Sequence, residues 1–249
     1  MSTRLALVTG GSGGIGSAIC RRLASDGLTV LVGYLSSAER AAALAAELDG
    51  PSHRAVRVAV DDPASIDALA ASIDADHGRL DVLVNCAGVT QPVAHDDLDG
   101  LTDETIDRIF ATNWRGPFAV VRALRPALEK SVDPVIVNIS SVAAVTGMGS
   151  NVAYCASKAA LDSMTRSLGR ALGPTIRVVS VSPGWVLGEY AARMPAEFID
   201  VQRDATPLNR LATGDDVAAA VSAVVADLPF TTGAVIPVDG GRPLGRGSG

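Results

Sequence analysis

Aromatic residues, basic clusters and long apolar runs are all scarce in this sequence. Aromatics make up 4% of the 249 residues while hydrophobic residues make up 48%, so we expect a core of Ala, Val, Leu and Ile. The net charge is −6, and a chain without a basic cluster is a poor candidate for nucleic-acid binding, which depends on Lys and Arg. No apolar run approaches the ~20 residues of a membrane-spanning helix, and the run at residues 5–8 is too short for the core of a signal peptide. We therefore expect a cytoplasmic protein without nucleic-acid or membrane partners.

Paired cysteines and clustered histidines are also missing. Cys20, Cys86 and Cys155 form an odd set without paired spacing, which does not indicate a disulfide framework. They lie in apolar segments, so we expect buried thiols in a reducing compartment. No histidine has a partner at metal-ligand spacing, and we expect no metal site.

Short β-branched runs alternate with longer Ala-rich stretches along the whole chain. The predicted strands are 5–8, 29–32, 55–60, 80–84, 134–139, 176–181 and 234–238, and the predicted helices are 15–26, 38–49, 64–77, 103–130, 153–172 and 215–227. The strands are continuously apolar, as in a parallel sheet that is covered on both faces. The alternation predicts one α/β domain over residues 1–249, a doubly wound, seven-stranded parallel sheet with helices on both faces. Residues 242–249, rich in Gly and Arg, are predicted to form a flexible tail.

Two predicted connections are long, at residues 85–101 and 185–214. Long ordered connections are often functional. Both follow strands, at the edge where open α/β sheets bind ligands. We expect residues 185–214 to cover the substrate, with apolar surface from Trp185, Leu187, Tyr190, Met194 and Phe198.

A glycine run lies between the first predicted strand and the first helix. Residues 9–16 read Thr-Gly-Gly-Ser-Gly-Gly-Ile-Gly and match both G-x-G-x-x-G and T-G-x-x-x-G-x-G. Glycines there let the backbone turn sharply and approach a pyrophosphate, which the helix N-terminus favours electrostatically. No P-loop lysine is present, which argues against nucleoside triphosphates. The predicted cofactor contacts in this run are Gly10, Ser12, Gly13, Gly14, Ile15 and Gly16.

The end of the second strand bears on which nicotinamide cofactor is bound. NAD-selective sites place an acid there for the ribose hydroxyls, and this chain has Tyr34 instead. Ser36, Ser37 and Arg40 could bind a 2′-phosphate, so the pattern favours NADP(H). The alternative is that they are ordinary loop residues.

Tyr154 and Lys158 are spaced i, i+4 and share one face of a predicted helix. A tyrosine has a reference pKa of about 10 and needs a nearby cation to act as an acid–base group at neutral pH. Lys158 can supply that cation, and Ser141, after the fifth strand, can hold a substrate oxygen. Such a pair found alone could be a surface coincidence.

Taken together, these motifs resemble the short-chain dehydrogenase/reductase family, and the resemblance spans essentially the whole chain. The segments match in order and spacing: residues 9–16, Asn85-Cys86-Ala87-Gly88, Asn113, Ser141, Tyr154 with Lys158, Ser182-Pro183-Gly184, Thr232-Gly233 and Asp239-Gly240-Gly241. The resemblance implies a single-domain Rossmann-type fold. It also implies hydride transfer between a nicotinamide cofactor and a carbonyl or secondary alcohol.

The resemblance assigns a role to each matching residue. It implies that Tyr154 exchanges the proton, Ser141 polarises the substrate oxygen and Lys158 binds the nicotinamide ribose and lowers the tyrosine pKa. It implies that Asn113 helps to hold a water in the proton path. The resemblance further implies cofactor contacts by Asn85, Ala87, Gly88, Pro183, Gly184 and Val186, with Tyr154 and Lys158 themselves. The remaining predicted cofactor contacts are Tyr34, Ser36, Ser37 and Val60.

The sequence departs from the family pattern near the cofactor. Gly13 stands where many NADP-dependent relatives carry a base, and Ala59 stands where many carry an Asp for the adenine. Gly188 replaces a hydroxyl residue that commonly touches the cofactor. These departures weaken the inference of cofactor choice but remove no residue of the reaction.

The substrate is less clearly indicated than the reaction. Length and loop pattern resemble the 3-oxoacyl-thioester reductases, although the chain has little of the basicity that their acyl-carrier docking sites use. The alternatives are an alcohol, sugar or steroid dehydrogenase of the same family, and a non-catalytic dinucleotide sensor. A sugar-nucleotide epimerase would need a further substrate domain, for which the chain has no room. The resemblance also implies a homotetramer or homodimer.

Overall fold

The computed structural model describes residues 3–50, 52–188, 191 and 194–245. Its centre is one parallel sheet with the strand order β3-β2-β1-β4-β5-β6-β7. The strands are β1 Leu5–Thr9, β2 Thr29–Tyr34, β3 Arg54–Arg57, β4 Val82–Asn85, β5 Val135–Ile139, β6 Arg177–Pro183 and β7 Val235–Val238. The predicted seven-stranded parallel α/β sheet is confirmed. The strand order reverses between β1 and β4, and open α/β sheets bind ligands at such a point.

Helices connect the strands and cover both faces of the sheet. They are α1 Gly14–Ser25, α2 Ala38–Glu47, α3 Pro63–His77, α4 Asp103–Phe110, α5 Gly116–Leu128, α6 Ala143–Thr146, α7 Val152–Ala171, α8 Ala196–Asp204 and α9 Gly214–Ala226. Helices α1, α2 and α9 supply one apolar layer, and α3 and α5 supply the other. No helix in the described part of the chain is long and apolar enough to cross a membrane.

Strand β1 shows why the strands are continuously apolar. All five of its residues are buried. Ala6 and Val8 join the core layer under α1, whereas Leu5 and Leu7 join the layer under α3 and α5. Because successive side chains point to opposite faces, a strand covered on both sides needs an apolar residue at every position.

The helix predicted over residues 103–130 is interrupted. Residues Ala111–Arg115 form a π-helical turn between α4 and α5. Pro117 has no amide hydrogen to donate to the carbonyl of Asn113, four residues earlier, so a regular helix cannot continue there. Gly116 also packs tightly, since a Cβ built on it would lie 2.9 Å from Val60 Cγ2. The π turn therefore places Asn113 in an irregular segment, as is frequent at functional sites.

The sequence did not predict the short helices that lie within the connections. Helix α6 follows β5, and α8 lies within the connection predicted at 185–214. Arg242–Leu244, predicted as part of a flexible tail, form a 3₁₀ turn instead. The turn is held because the Arg242 side chain donates to Gln202. Residues 246–249 of that tail lie outside the described residues.

Candidate active site

The carboxyl ends of the strands open into one large cavity of about 1340 Å³. It passes the loops after β1, β2, β3, β4, β5 and β6. Sixteen residues predicted as cofactor contacts line it: Gly10, Ser12, Gly13, Gly14, Ile15, Gly16, Ser36, Ser37, Val60, Ala87, Gly88, Tyr154, Lys158, Pro183, Gly184 and Val186. Ser141 lines it as well. The fold thus brings the glycine run and the Ser-Tyr-Lys set to one cavity.

The glycine turn is shaped for close approach of an anion. Gly10 has φ 65°, and a Cβ on it would lie 2.9 Å from Ala87 Cα, so the turn is wedged against the loop after β4. A Cβ on Gly14 would meet nothing within 4 Å. Gly14 begins α1, whose N-cap Gly13 supplies no side-chain hydrogen bond. Open space beside free N–H groups at a helix N-terminus fits the pyrophosphate of a dinucleotide.

The loop after β2 lines the cavity next to this glycine turn. Ser36, Ser37 and Arg40 line the cavity, and Arg40 Nη2 lies 3.3 Å from Ser37 Oγ, to which it donates. Tyr34 does not line the cavity, because its half-buried ring packs against the apolar layer under α1. Its prediction as a cofactor contact is therefore not supported by its position.

Helix α7 positions the tyrosine and the lysine. Asn151 caps the helix, its Oδ1 accepting from Tyr154 N at 2.7 Å, and its Nδ2 donates to the Gln91 carbonyl at 2.7 Å. Tyr154 is half-buried, and Lys158 Nζ lies 5.8 Å from the centre of its ring. An N-cap of this type is typically worth about 1 kcal/mol. Here the Asn151 side chain also connects the first turn of α7, which carries Tyr154, to the loop after β4.

Lys158 is buried, and burial lowers the pKa of its ammonium from 10.5 to about 8. Its Nζ donates to the Ile139 carbonyl at 2.8 Å. Asp162, one turn further along α7, is 3% exposed, and burial raises its carboxyl pKa. Its negative charge acts in the opposite sense to burial on the lysine, raising the Lys158 pKa. The ammonium therefore has a depressed pKa beside the tyrosine ring.

Asn113 lies behind the cavity rather than in its wall. It is 0% exposed, and its amide is fully engaged. Oδ1 accepts from Val89 N at 2.8 Å, and Nδ2 donates to the Val89 carbonyl at 3.0 Å and to Ser157 Oγ at 3.1 Å. The side chain therefore joins the loop after β4 to α7. The predicted water-holding role of Asn113 stays a prediction.

Asn85, predicted to flank the adenosine, also does not line the cavity. It is 2% exposed, and its Nδ2 donates to Asn138 Oδ1 at 2.9 Å. Asn138 in turn donates to Thr165 Oγ1 at 2.8 Å. Asn85 is the last residue of β4, and its side chain turns into this buried polar chain instead of towards the ligand edge.

The other end of the cavity is mainly apolar. Trp185, Leu187, Met194 and Phe198, predicted as apolar surface, line it, while Tyr190 lies outside the described residues. The rings of Trp185 and Phe198 meet edge to face with centroids 5.1 Å apart. Sequence reasoning missed Val93, Met148 and Gln202, which also line this end. Their loops and helix carry no motif, so only the folded chain brings them together.

Comparison with known proteins agrees with this geometry. A family model described as enoyl-(acyl carrier protein) reductase matches residues 10–242. A relative from Streptomyces violaceoruber, described as a ketoacyl reductase of the granaticin polyketide synthase, is 37% identical over 96% of both chains. The L-xylulose reductase of Caenorhabditis elegans is 35% identical over 94% of both chains.

A solved structure resembles the whole fold. It is a short-chain dehydrogenase/reductase of the glucose/ribitol dehydrogenase type from Brucella melitensis, with a TM-score of 0.89 and 30% identity. The superposition covers 96% of each chain. The chain belongs to the short-chain dehydrogenase/reductase family, whose members are NAD(P)(H)-dependent oxidoreductases acting on carbonyl and alcohol groups.

Proposed function

We propose that this enzyme is a carbonyl reductase that prefers NADP(H) and acts on 3-oxoacyl thioesters or close analogues. One observation carries the proposal: Ser141, Tyr154 and Lys158 line the same cavity as the glycine turn. A carbonyl beside the two hydroxyls would then lie next to the cofactor cradle. In this proposal residues 1–249 act as one domain, and residues 185–214 cover the substrate.

The protein's part in the reaction is proton transfer and charge stabilisation. When bound, the nicotinamide supplies or accepts the hydride. Ser141 Oγ and Tyr154 Oη donate hydrogen bonds to the substrate oxygen as negative charge builds on it, where preorganised donors help most. Tyr154 transfers its proton to that oxygen, which is typically worth about 100- to 10,000-fold in rate. Lys158 favours the phenolate that is left, because its ammonium lies beside the tyrosine ring.

The proposed NADP(H) preference is supported by the loop after β2. No carboxylate occurs at residues 34–37, and Ser36, Ser37 and Arg40 line the cavity at that point. Hydroxyls and a guanidinium match a 2′-phosphate, which a carboxylate would repel.

The apolar end of the cavity supports an acyl substrate over a sugar. Relatives include both a ketoacyl reductase and an L-xylulose reductase, so relatedness alone does not choose between them. A sugar presents a hydroxyl on almost every carbon, and each would need a polar partner when buried. The side chains here include six large apolar ones, beside the polar Thr90, His95, Ser150 and Gln202: Val93, Met148, Trp185, Leu187, Met194 and Phe198.

The proposed assembly is a homotetramer or homodimer that buries the helices around the π turn. Trp114 and Phe118 stack with ring centroids 6.3 Å apart and are 38% and 39% exposed. Exposed paired aromatics are typical of residues that a partner covers. The mass of the protein in solution, measured by light scattering, tests the proposal, since a monomer would contradict it.

The proposed setting is the reducing cytoplasm. Cys20, Cys86 and Cys155 are all free thiols in the structure. Structural disulfides are rare where glutathione keeps thiols reduced, and free buried cysteines are common there. Fractionation of cells that express the enzyme tests this placement.

The test of the function is a turnover screen with the Tyr154→Phe variant as control. A 3-oxoacyl thioester, methyl ketones and sugars are offered with NADPH and NADH in parallel. We expect thioester and ketone reduction with NADPH. Tyr154→Phe should lose at least about 100-fold in turnover because it has no proton to give, while its affinity for NADPH stays unchanged. Turnover of Tyr154→Phe at the wild-type rate would contradict the proposal.

A further inference from the structure

Gln202 is the polar side chain that α8 contributes to the apolar end of the cavity. It is 9% exposed and lines the cavity. It lies four residues after Phe198 and therefore on the same face of α8. Phe198 in turn contacts Trp185, which follows the Pro183-Gly184 turn. This places Gln202 beside the apolar groups that we assign to the substrate.

The amide of Gln202 has a defined orientation. Arg242 Nη2 lies 3.0 Å from Gln202 Oε1 and donates to it. A guanidinium has donors only, so the amide oxygen has to face Arg242 and the amide nitrogen has to point elsewhere. Among residues 3–50, 52–188, 191 and 194–245, none accepts a hydrogen bond from Gln202 Nε2. Two donor hydrogens are therefore left for something other than this part of the protein.

The pair is firmly held in place. The Gln202 carbonyl accepts from Thr206 Oγ1 at 2.8 Å, and Thr206 is 3% exposed. Gly240 packs closely on Thr206, because a Cβ built on the glycine would lie 2.7 Å from Thr206 Cγ2. Arg242 follows at the start of the 3₁₀ turn, with its Nε buried. The turn after β7 thus holds Arg242 against α8, which positions the Gln202 amide.

Arg242 also strengthens Gln202 as a donor. Its positive charge withdraws electron density from the amide oxygen to which it donates. Hydrogen bonds in such chains polarise one another, and more so in a partly desolvated site. The exposed end of the amide should accordingly bind an electron-rich oxygen.

We propose that Gln202, oriented by Arg242, binds a second acceptor oxygen of the substrate and so selects β-dicarbonyl compounds over simple ketones. The proposal rests on the proposed function and deepens it: the reactive keto oxygen meets Ser141 and Tyr154, and the thioester carbonyl meets Gln202 Nε2. A substrate without that oxygen leaves the Gln202 donors unpaired in the bound state. Sites built around a hydrogen bond reject such analogues.

The test compares two substrates and three variants. The substrates are acetoacetyl-N-acetylcysteamine and a methyl ketone of similar length, each reduced with NADPH. Gln202→Leu removes the donor. Gln202→Glu keeps an acceptor for Arg242 but has no N–H to offer. Arg242→Met leaves Gln202 in place and frees its amide to turn.

We expect Gln202→Leu and Gln202→Glu to lose about 10-fold in kcat/KM for the thioester, the usual value of one hydrogen bond. The loss should fall mainly on KM, and the methyl ketone should be reduced at the wild-type efficiency. Arg242→Met should lose less of its kcat/KM for the thioester, and it too should reduce the methyl ketone at the wild-type efficiency. Thermal unfolding and NADPH affinity, measured on every variant, show whether α8 and the fold are intact.

Equal losses on both substrates would overturn the inference, since they would mean that Gln202 only supports α8. No loss on the thioester would overturn it too. Either result leaves the proposed function standing if the wild-type enzyme reduces the thioester and Tyr154→Phe does not. If the wild-type enzyme does not reduce the thioester, the proposed function fails and this inference fails with it.

Discussion

Lys158 Nζ donates a 2.8 Å hydrogen bond to the carbonyl of Ile139. Ile139 ends β5, two residues before Ser141, and Lys158 lies one helical turn after Tyr154. This one bond therefore connects the strand that leads to the serine with the helix that carries the tyrosine. A charge-assisted bond of this kind is worth more than a neutral one. It helps to hold the two hydroxyls towards the same point of the cavity.

The depressed pKa of Lys158 predicts how reduction depends on pH. Burial lowers this pKa to about 8, so the ammonium is present below that pH and is lost as the pH rises through it. Reduction should consequently fall above about pH 8, because the cation that stabilises the Tyr154 phenolate disappears. Lys158→Met should lower turnover at least about 100-fold and abolish this inflection. A pH profile of kcat for both enzymes checks the prediction, and an unchanged inflection in the variant would assign it to another group.

Asp162 should shift that inflection although it does not line the cavity. Its charge raises the Lys158 pKa, in opposition to burial. Asp162→Asn removes the charge, so the Lys158 pKa should fall and the inflection should move to lower pH. Asp107→Asn, an exposed carboxylate on α4, is the matched control and should leave the profile where it was. If both variants kept the wild-type profile, Asp162 would be neutral in the working enzyme.

Arg40 should decide between the two nicotinamide cofactors. It lines the cavity beside Ser36 and Ser37. Arg40→Ala should weaken NADPH binding by about 10- to 100-fold, the range expected for hydrogen bonds to a charged group. NADH binding should be unaffected, since NADH has no 2′-phosphate. Arg22→Ala, an exposed arginine on α1 that does not line the cavity, is the control. Calorimetric titration with each cofactor measures the effect, and equal weakening of both would contradict it.

Substitution by alanine should have opposite effects on stability at two glycines of the turn, Gly16 and Gly14. A Cβ on Gly16 would lie 2.2 Å from the Gly10 carbonyl oxygen, so Gly16→Ala has to displace the backbone and should cost about 1–3 kcal/mol of stability. Gly14 has nothing within 4 Å of a built Cβ, and alanine suits a helix start better than glycine. Gly14→Ala should therefore keep or raise Tm while its methyl group weakens NADPH binding. Thermal melts with and without NADPH separate the two effects, and tight NADPH binding by Gly14→Ala would contradict the assigned pyrophosphate position.

Most of the fold was predictable because its signals are local. Continuous apolar runs follow from two covered faces, and the glycine run follows from the turn between β1 and α1. The break in the helix predicted over 103–130 was less visible. A proline is tolerated in the first turn of a helix, as Pro117 is in α5, so its position alone does not show that a helix ends before it. The close packing of Gly116 on Val60, visible only in the folded chain, shows where the break falls.

The site was predictable to a different degree at each residue. Tyr154 and Lys158 follow from helix geometry, which fixes residues four apart on one face. Asn85 and Tyr34 could not be placed in this way, because the direction in which a strand-end side chain turns depends on its neighbours. Asn85 turns to Asn138, and Tyr34 turns to the apolar layer.

The sequence by itself determined the order of the elements, the cofactor turn and the Tyr-Lys pair, since each rests on residues close together in the chain. Only the tertiary structure decided which residues far apart in the chain are in contact. Asn113 pairs with Val89, and Arg242, forty residues after Gln202, donates to that side chain's amide oxygen. Such contacts depend on how the π turn, the loop after β4, α8 and the turn after β7 pack together in the folded chain, which no local pattern encodes.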